Sequence, residues 1–216
     1  YDLCKLMAGS FGTLAALTEV TVKVLPVPEK TRTVLLFGQD DPAAITAMSQ
    51  AAGSPHEVSA LAHLPSAIAA RSAVSYIKDA GAAVTAVRVE GPEPSVEHRT
   101  EALRRMWGGH GAVEELHGHN SNTLWREVAN VAPLLPDPDA IIWKLSVTPS
   151  TGADVMAKAL SAGGAGYYDW AGGLLWLALP GSEKGGEDGG AALVRGAFGG
   201  DGHATLMRGP AELRAK

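Results

Sequence analysis

Apolar and polar residues alternate along several short stretches of the chain, a pattern typical of strands with one buried and one exposed face. The clearest case is 141–147, where large apolar residues at the odd-numbered positions flank Lys144 and Ser146. Leu174–Leu179 is apolar at every position, which predicts a central strand buried on both faces. The alternation predicts further strands at 20–24, 33–37, 58–64, 84–89, 113–116 and 204–208.

Between these strands, apolar residues recur at helical spacing after residues that commonly start helices. The predicted helices begin near Asp40, Pro94, Asn122, Ser150 and Ala191. The segment 66–76 is compatible with either element, and the glycine-rich segment 181–190 predicts a surface loop. The connections are often too short for parallel crossovers. The pattern therefore predicts an α+β fold with an antiparallel sheet and helices on one face.

Composition narrows the class of protein. The 216 residues suffice for one well-packed core, and 46% hydrophobic residues with a net charge of −5 indicate a globular protein. No basic patch with interleaved aromatic residues occurs, which argues against a nucleic-acid partner. Cys4 is the only cysteine, which excludes an internal disulfide framework and a cysteine-based zinc site. No apolar run approaches the roughly 18 residues of a membrane-spanning helix.

The first 28 residues carry the most specific motif of the chain. A turn, Gly9-Ser10-Phe11-Gly12-Thr13-Leu14, leads into the alternating valines and then into Leu25-Pro26-x-Pro28. Glycine permits positive φ and close backbone approach in such a turn. Together with Tyr1-Asp2-Leu3, this ordered string resembles the end of the FAD-binding domain in the vanillyl-alcohol-oxidase and p-cresol-methylhydroxylase superfamily. Phe11 departs from the superfamily pattern, in which members that carry the active site often have glutamate after Gly-Ser.

Motifs in the rest of the chain extend this resemblance over nearly its whole length. They are similar to the FAD-binding subunits of bacterial glycolate oxidases. The motifs are Arg88-Val-Glu-Gly-Pro-Glu-Pro-Ser95-Val96, Leu124-Trp-Arg-Glu127, Trp143-Lys-Leu-Ser-Val147, Tyr168-Asp-Trp-Ala-Gly-Gly-Leu-Leu-Trp-Leu177 and Gly202-His-Ala-Thr-Leu-Met-Arg208.

The resemblance implies a domain organisation and a reaction. Residues 1–30 would be the end of an FAD-binding domain with its linker, and 31–216 a substrate-side cap domain. The chain would then be the carboxy-terminal part of a longer protein, and it lacks the family's final segment after Lys216. Members of this family work with a catalytic flavin subunit and an iron–sulfur subunit to oxidise glycolate, a small 2-hydroxy acid, to glyoxylate. A cytoplasmic location is implied, or one at the inner membrane through the partners.

The resemblance also implies which residues meet the cofactor. Gly9, Ser10, Gly12 and Thr13 match the superfamily turn and are expected to contact FAD in the full-length protein. The glycine-rich loop that cradles the FAD pyrophosphate in the superfamily does not occur in this sequence. The fragment alone is therefore expected to bind no FAD tightly and to be inactive.

Substrate contacts are expected on the cap sheet, which covers the flavin ring in this superfamily. Lys144 is the first candidate, because its strand alternates so regularly, and His203 and Arg208 are further candidates on the last strand. Cations and imidazoles on such a face can bind a carboxylate. No catalytic residue can be named from the sequence.

Other interpretations remain open. His117 and His119 could share a metal ion, but no third ligand has a suitable spacing, so surface histidines are favoured and no metal is predicted. Trp107 and Trp143 are expected in the core, whereas Trp125 and Trp170 could pack an interface or bind a flat ligand. The chain could also belong to a non-catalytic assembly subunit of the complex, or be a stand-alone α+β ligand-binding domain.

Overall fold

A single antiparallel sheet organises the computed structural model, which describes residues 2–181, 188–200 and 202–214. The strands are β1 (Lys30–Phe37), β2 (Ala60–Leu64), β3 (Val84–Gly91), β4 (Val113–His117), β5 (Ile141–Val147), β6 (Ala165–Asp169), β7 (Leu174–Leu179) and β8 (Gly202–Arg208). They lie side by side in the order β4-β1-β3-β2-β6-β7-β5-β8. Every described pairing is antiparallel, which confirms the predicted α+β fold class. Most of the loop predicted at 181–190 lies outside the described residues.

Helices connect most of the strands. They are α1 (Leu3–Met7), α2 (Asp41–Ala52), α3 (Ser66–Ala69), α4 (Ser75–Lys78), α5 (Glu93–Trp107), α6 (Gly118–Ala129), α7 (Gly152–Ala159), α8 (Ala191–Ala197) and α9 (Ala211–Arg214). Short 3₁₀ turns lie at Ala132–Leu134, Pro149–Thr151 and Trp170–Gly172. The segment 66–76, compatible with either element, contains α3 and the start of α4.

Helices pack against both faces of the sheet, whereas the sequence predicted them on one face. The first face packs against α2, α5, α7 and α8. The second face packs against α3, α4 and α6. The reason is visible in β1, where Val34, Leu35 and Leu36 follow one another and are all fully buried. A strand that is apolar on both sides must be covered on both sides.

Most helices begin within two residues of the positions that the sequence indicates, whereas α6 begins at Gly118, four residues before the predicted Asn122. Asp40 caps α2 as predicted, and its Oδ1 accepts a hydrogen bond of 2.9 Å from the backbone N–H of Ala43. The helix predicted near Pro94 is α5, which starts one residue earlier, at Glu93, and has Pro92 at its N-cap. The predicted tryptophans of the core, Trp107 and Trp143, are indeed 0% and 2% exposed.

A buried polar cluster fixes α2 to the first face. His63 is fully buried on β2, and its Nδ1 lies 2.9 Å from Thr85 Oγ1. Its Nε2 lies 3.3 Å from Asp41 Oδ1, and the Tyr168 hydroxyl donates a hydrogen bond of 2.5 Å to Asp41 Oδ2. The hydrogen bond from His63 is the main reason that the pKa of Asp41 is lowered, although partial burial opposes it. The cluster thus joins α2 to β2 and β6 through polar contacts.

The prediction of a strand at 20–24 was wrong. Residues 8–29 form neither helix nor strand, and Val20, Val22 and Val24 are 64%, 69% and 76% exposed. A strand needs a neighbouring strand to satisfy its backbone groups. None of the described strands pairs with this segment.

The sequence also gave no indication of β6. This strand, Ala165–Asp169, pairs with both β2 and β7 and so joins the two halves of the sheet. Its five residues alternate poorly, since Tyr167 and Tyr168 are both fully buried on opposite faces. Periodicity therefore could not distinguish it from a loop.

Candidate functional site

The second face of the sheet changes character between its two halves. Over β4, β1, β3 and β2 its apolar side chains are covered mainly by α3, α4 and α6. Over β6, β7, β5 and β8 the same face keeps buried apolar residues such as Tyr167, Ile142 and Ala178, but polar side chains now occur among them. The antiparallel register brings five polar residues and one tryptophan to this part of the face, and we call this set the open face: Asp169, Trp176, Lys144, Ser146, His203 and Thr205. All six are half-buried or exposed, whereas the other side of β6, β7 and β5 is buried.

Lys144 lies near the middle of the open face. It pairs with Trp176 on β7 and with Thr205 on β8. Its Nζ lies 5.7 Å from the centroid of the Trp176 ring, within range of a cation–π interaction. The ring supports the lysine side chain without neutralising it, so the ammonium group can still bind an anion.

Asp169 ends β6 on the same face. Its Oδ1 accepts a hydrogen bond of 2.8 Å from the backbone N–H of Trp170. Burial raises the pKa of the Asp169 carboxyl, and that N–H together with the positive charges of Arg88 and Lys144 opposes the rise. Asp169 therefore lies within the electrostatic field of two cations.

The turn after Asp169 has an unusual backbone. Trp170 and Ala171 both have positive φ, 50° and 56°, which residues other than glycine adopt at an energetic cost. The turn is held by close packing: a Cβ on Gly152 would lie 2.4 Å from the carbonyl oxygen of Gly172. Trp170 at this turn is 68% exposed. The packing thus maintains a strained turn that presents an aromatic ring to the surface.

Arg88 extends the polar surface onto β3. Its Nε donates a hydrogen bond of 3.0 Å to Ser59 Oγ and lies 3.2 Å from Glu90 Oε2. Its guanidinium carbon is 5.3 Å from the centroid of the Trp125 ring. Trp125 itself is buried and donates a hydrogen bond of 2.8 Å to Thr33 Oγ1, so it is a packing residue. Arg88 is therefore already paired, and its charge acts on the open face from the side.

The three residues expected to contact substrate do not all lie together. His203 is exposed and pairs with Ser146, one row from Lys144 on the open face. Arg208 is at the far end of β8, beyond a register shift. Its guanidinium donates hydrogen bonds to the backbone carbonyls of Ala140 (3.1 Å) and Asp137 (2.5 Å). The structure therefore brings Lys144 and His203 to one face and gives Arg208 contacts of its own.

The residues expected to contact FAD form an exposed turn. Gly9 and Gly12 have φ of 79° and 74°, and an added Cβ would meet nothing within 4 Å at either position. The turn is closed by hydrogen bonds from Ser10 N to Met7 O (3.2 Å) and from Thr13 N to Ser10 O (3.0 Å). The positive φ explains why glycine occurs at both positions, and both glycines are exposed.

Two other surfaces are separate from the open face. A groove of about 560 Å³ at the β4 edge is lined by residues such as Tyr76 and Glu114, and none of its lining residues belongs to the open face. His117 and His119 are exposed. Among the residues that the structure describes, no three histidine, cysteine or acidic side chains are grouped to hold a metal ion. All six residues of the open face are half-buried or exposed, so a ligand there needs a second surface to enclose it.

Asp169 and Arg88 were not singled out as functional candidates from the sequence. Asp169 lies in the motif Tyr168-Asp-Trp-Ala-Gly-Gly and Arg88 begins another, so both occur in strings that carry the family resemblance. The missing information was the pairing of β6 with β2 and β7, which places Asp169 on the same face as Lys144.

Comparisons with known proteins agree with this architecture. No model of a known protein family matches the chain. The chain is 28% identical over 180 residues to the glycolate oxidase subunit GlcE of Escherichia coli, a match that covers 82% of this chain and 40% of that protein. The chain thus spans well under half the length of this curated relative.

A solved structure of p-cresol methylhydroxylase with substrate bound has a similar fold. The TM-score is 0.50 and the sequence identity 11%, and the match covers 81% of this chain and 43% of the other. At such low identity the likeness concerns the fold alone. The chain is therefore similar in sequence to a glycolate oxidase subunit and similar in fold to a methylhydroxylase.

Proposed function

We propose that this chain is the substrate-side cap domain (31–216), with the end of an FAD-binding domain (1–30), of an FAD-dependent oxidoreductase subunit. The observation that carries the proposal is the open face, a group of half-buried and exposed side chains on one half of a sheet whose other half is covered on both sides. Such a group needs an opposing surface to form an enclosed site. An FAD-binding domain supplies one, and the likeness to GlcE and to p-cresol methylhydroxylase supports this choice.

The substrate of the proposed enzyme is a small 2-hydroxy acid, with glycolate as the first choice. The ammonium group of Lys144 on the open face has the charge to bind a carboxylate, and His203 lies close enough along the sheet to assist. FAD, when bound, would supply the two-electron oxidation of the carbon that bears the hydroxyl group, and the residues of the open face would hold the acid in place for it. Arg208 remains a weaker candidate, since two backbone carbonyls already occupy its guanidinium.

Cofactor contacts in the proposal come from the glycine turn. Gly9, Ser10, Gly12 and Thr13 are exposed apart from a half-buried Ser10, and their backbone leaves open space for a flat group. They would meet FAD only in the full-length protein, because a tightly held pyrophosphate needs a cradle of backbone amides. A catalytic flavin subunit and an iron–sulfur subunit are the proposed partners, by the likeness to a glycolate oxidase subunit.

A non-catalytic assembly subunit is the second candidate. Trp170 and Met207 are 68% and 42% exposed near the open face, and exposed aromatic and sulfur side chains are common in protein interfaces. In that case the open face would dock a partner subunit rather than a substrate.

The location in the cell follows from the partners and is part of the proposal: cytoplasmic, or at the inner membrane through other subunits. No helix among the described residues is long and apolar enough to cross a membrane.

Reconstitution separates the two candidates. The complex would be assembled from the full-length subunit and its partners, and glycolate-dependent reduction of a dye would be measured. The catalytic proposal expects the activity to depend on the side chains of the open face. Normal activity in a complex assembled without this subunit would refute a catalytic role, and activity lost only together with assembly would favour the docking role.

A further inference from the structure

Asp169 has an unused hydrogen-bonding atom on the open face. Its Oδ1 is occupied by the backbone N–H of Trp170. No hydrogen bond or ion pair to Oδ2 occurs within the part of the chain that the structure describes. A carboxylate oxygen with open lone pairs can accept a hydrogen bond from a ligand hydroxyl group.

The backbone holds Asp169 in a defined position. Asp169 pairs with Ala62 of β2 on one side and with Leu174 of β7 on the other, so the end of β6 is fixed within the sheet. The strained turn that follows is held by the contact between Gly152 and Gly172. Strain of this kind persists where the surrounding structure over-determines the backbone, and it is concentrated at functional sites.

Lys144 complements Asp169. Both belong to the open face, on strands separated by β7, where Leu174 pairs with Asp169 and Trp176 pairs with Lys144. Among the described residues, no carboxylate oxygen lies within 4 Å of the Lys144 ammonium group. Its positive charge nevertheless acts on the pKa of Asp169, opposing the rise that burial causes. One face thus offers a cation for an anionic group and a carboxylate oxygen for a donor.

We propose that Asp169 determines specificity by accepting a hydrogen bond from the hydroxyl group of a 2-hydroxy acid whose carboxylate is bound by Lys144. This inference rests on the proposed function and adds to it the reason for preferring a hydroxy acid over a plain carboxylic acid. A site built to pair with a hydroxyl group discriminates strongly against an analogue that lacks it, because its own polar group is then left unpaired.

The test compares glycolate with acetate, which differ only in the hydroxyl group. Dissociation constants would be measured by anaerobic calorimetry on the full-length flavoprotein in its complex, with the flavin reduced beforehand so that glycolate binds without being oxidised. The variants are Asp169→Asn and Asp169→Ser, both of which keep an oxygen that can accept from the N–H of Trp170. Asp154→Asn, an exposed acid on α7 against the first face, is the matched control.

We expect both Asp169 variants to weaken glycolate binding by about tenfold or more and to leave acetate binding within about twofold. Lys144→Met should weaken the binding of both ligands. Unchanged glycolate binding in Asp169→Asn and Asp169→Ser, with Lys144→Met impaired, would refute this inference and leave the proposed function standing. If Lys144→Met also binds both ligands normally, or the native complex binds neither, the proposed substrate site itself is wrong and the inference fails with it.

Discussion

Replacing Lys144 by methionine tests the proposed substrate site most directly. Methionine keeps the length and much of the apolar contact of lysine but removes the charge. A charge-assisted hydrogen bond to a carboxylate contributes about 1.5–3 kcal/mol, which corresponds to roughly 10- to 150-fold in binding. The cation–π contact with Trp176 is partly exposed and contributes about 0.5–1 kcal/mol to stability, so the variant should still fold.

The measurement is the Michaelis constant for glycolate in the reconstituted complex, by dye reduction. We expect it to rise by roughly 10- to 150-fold, with assembly unchanged in size-exclusion chromatography. Lys158→Met is the matched control, since Lys158 is an exposed lysine on α7, against the opposite face. An unchanged Michaelis constant for Lys144→Met would refute the reasoning and favour the assembly role.

Three further predictions concern the core and the cofactor. Trp107→Ala, which empties a fully buried site on α5, should lower the free energy of unfolding by about 3–5 kcal/mol in a urea titration; a loss below about 1 kcal/mol would contradict the packing described. Tyr168→Phe removes the hydroxyl group that donates to Asp41 and should lower the free energy of unfolding by about 1–2 kcal/mol, measured as a fall in the thermal midpoint. Because the pKa of Asp41 is lowered in the folded state, its carboxylate stabilises the fold above about pH 4, and this stabilisation is lost as the pH falls below that value. Asp41→Asn should therefore approach the native stability in acid, and a stability difference that stays constant at all pH values would contradict this reasoning. The purified 216-residue chain should show no stoichiometric flavin absorbance, and a yellow preparation would disprove the expectation that residues 9–13 alone hold FAD only weakly.

The fold could be predicted largely from periodicity. The predicted bounds of β5 and β7 match the observed ones, because β5 alternates regularly between apolar and polar residues and β7 is apolar throughout. β6 could not be found, since two adjacent tyrosines are buried on opposite faces and the strand is short. A second layer of helices was not predicted, because a sequence pattern shows which side of a helix is apolar but not which face of the sheet that helix covers.

The candidate site was predictable only in part. Lys144 could be assigned to the polar side of its strand from the alternation around it. Asp169 depended on a long-range pairing, β6 with β7 and β7 with β5, which no local pattern specifies. Arg208 could not be excluded from the open face by sequence, because a register shift in the pairing of β5 with β8 separates it from the rest of the strand.

The unpaired segment before β1 has an energetic consequence for the protein. Val20, Val22 and Val24 are mostly exposed. Burying a fully exposed valine side chain contributes about 1.5–3 kcal/mol, and these three are 64%, 69% and 76% exposed, so covering all of them would contribute roughly 3–6 kcal/mol. That is a large fraction of the whole stability of a typical domain, about 5–15 kcal/mol. The segment would therefore couple two folding units if it paired with the edge of a matching sheet. Without such an edge, its exposed valines would favour self-association. Replacing these valines by threonine should then make a preparation of this chain more monodisperse.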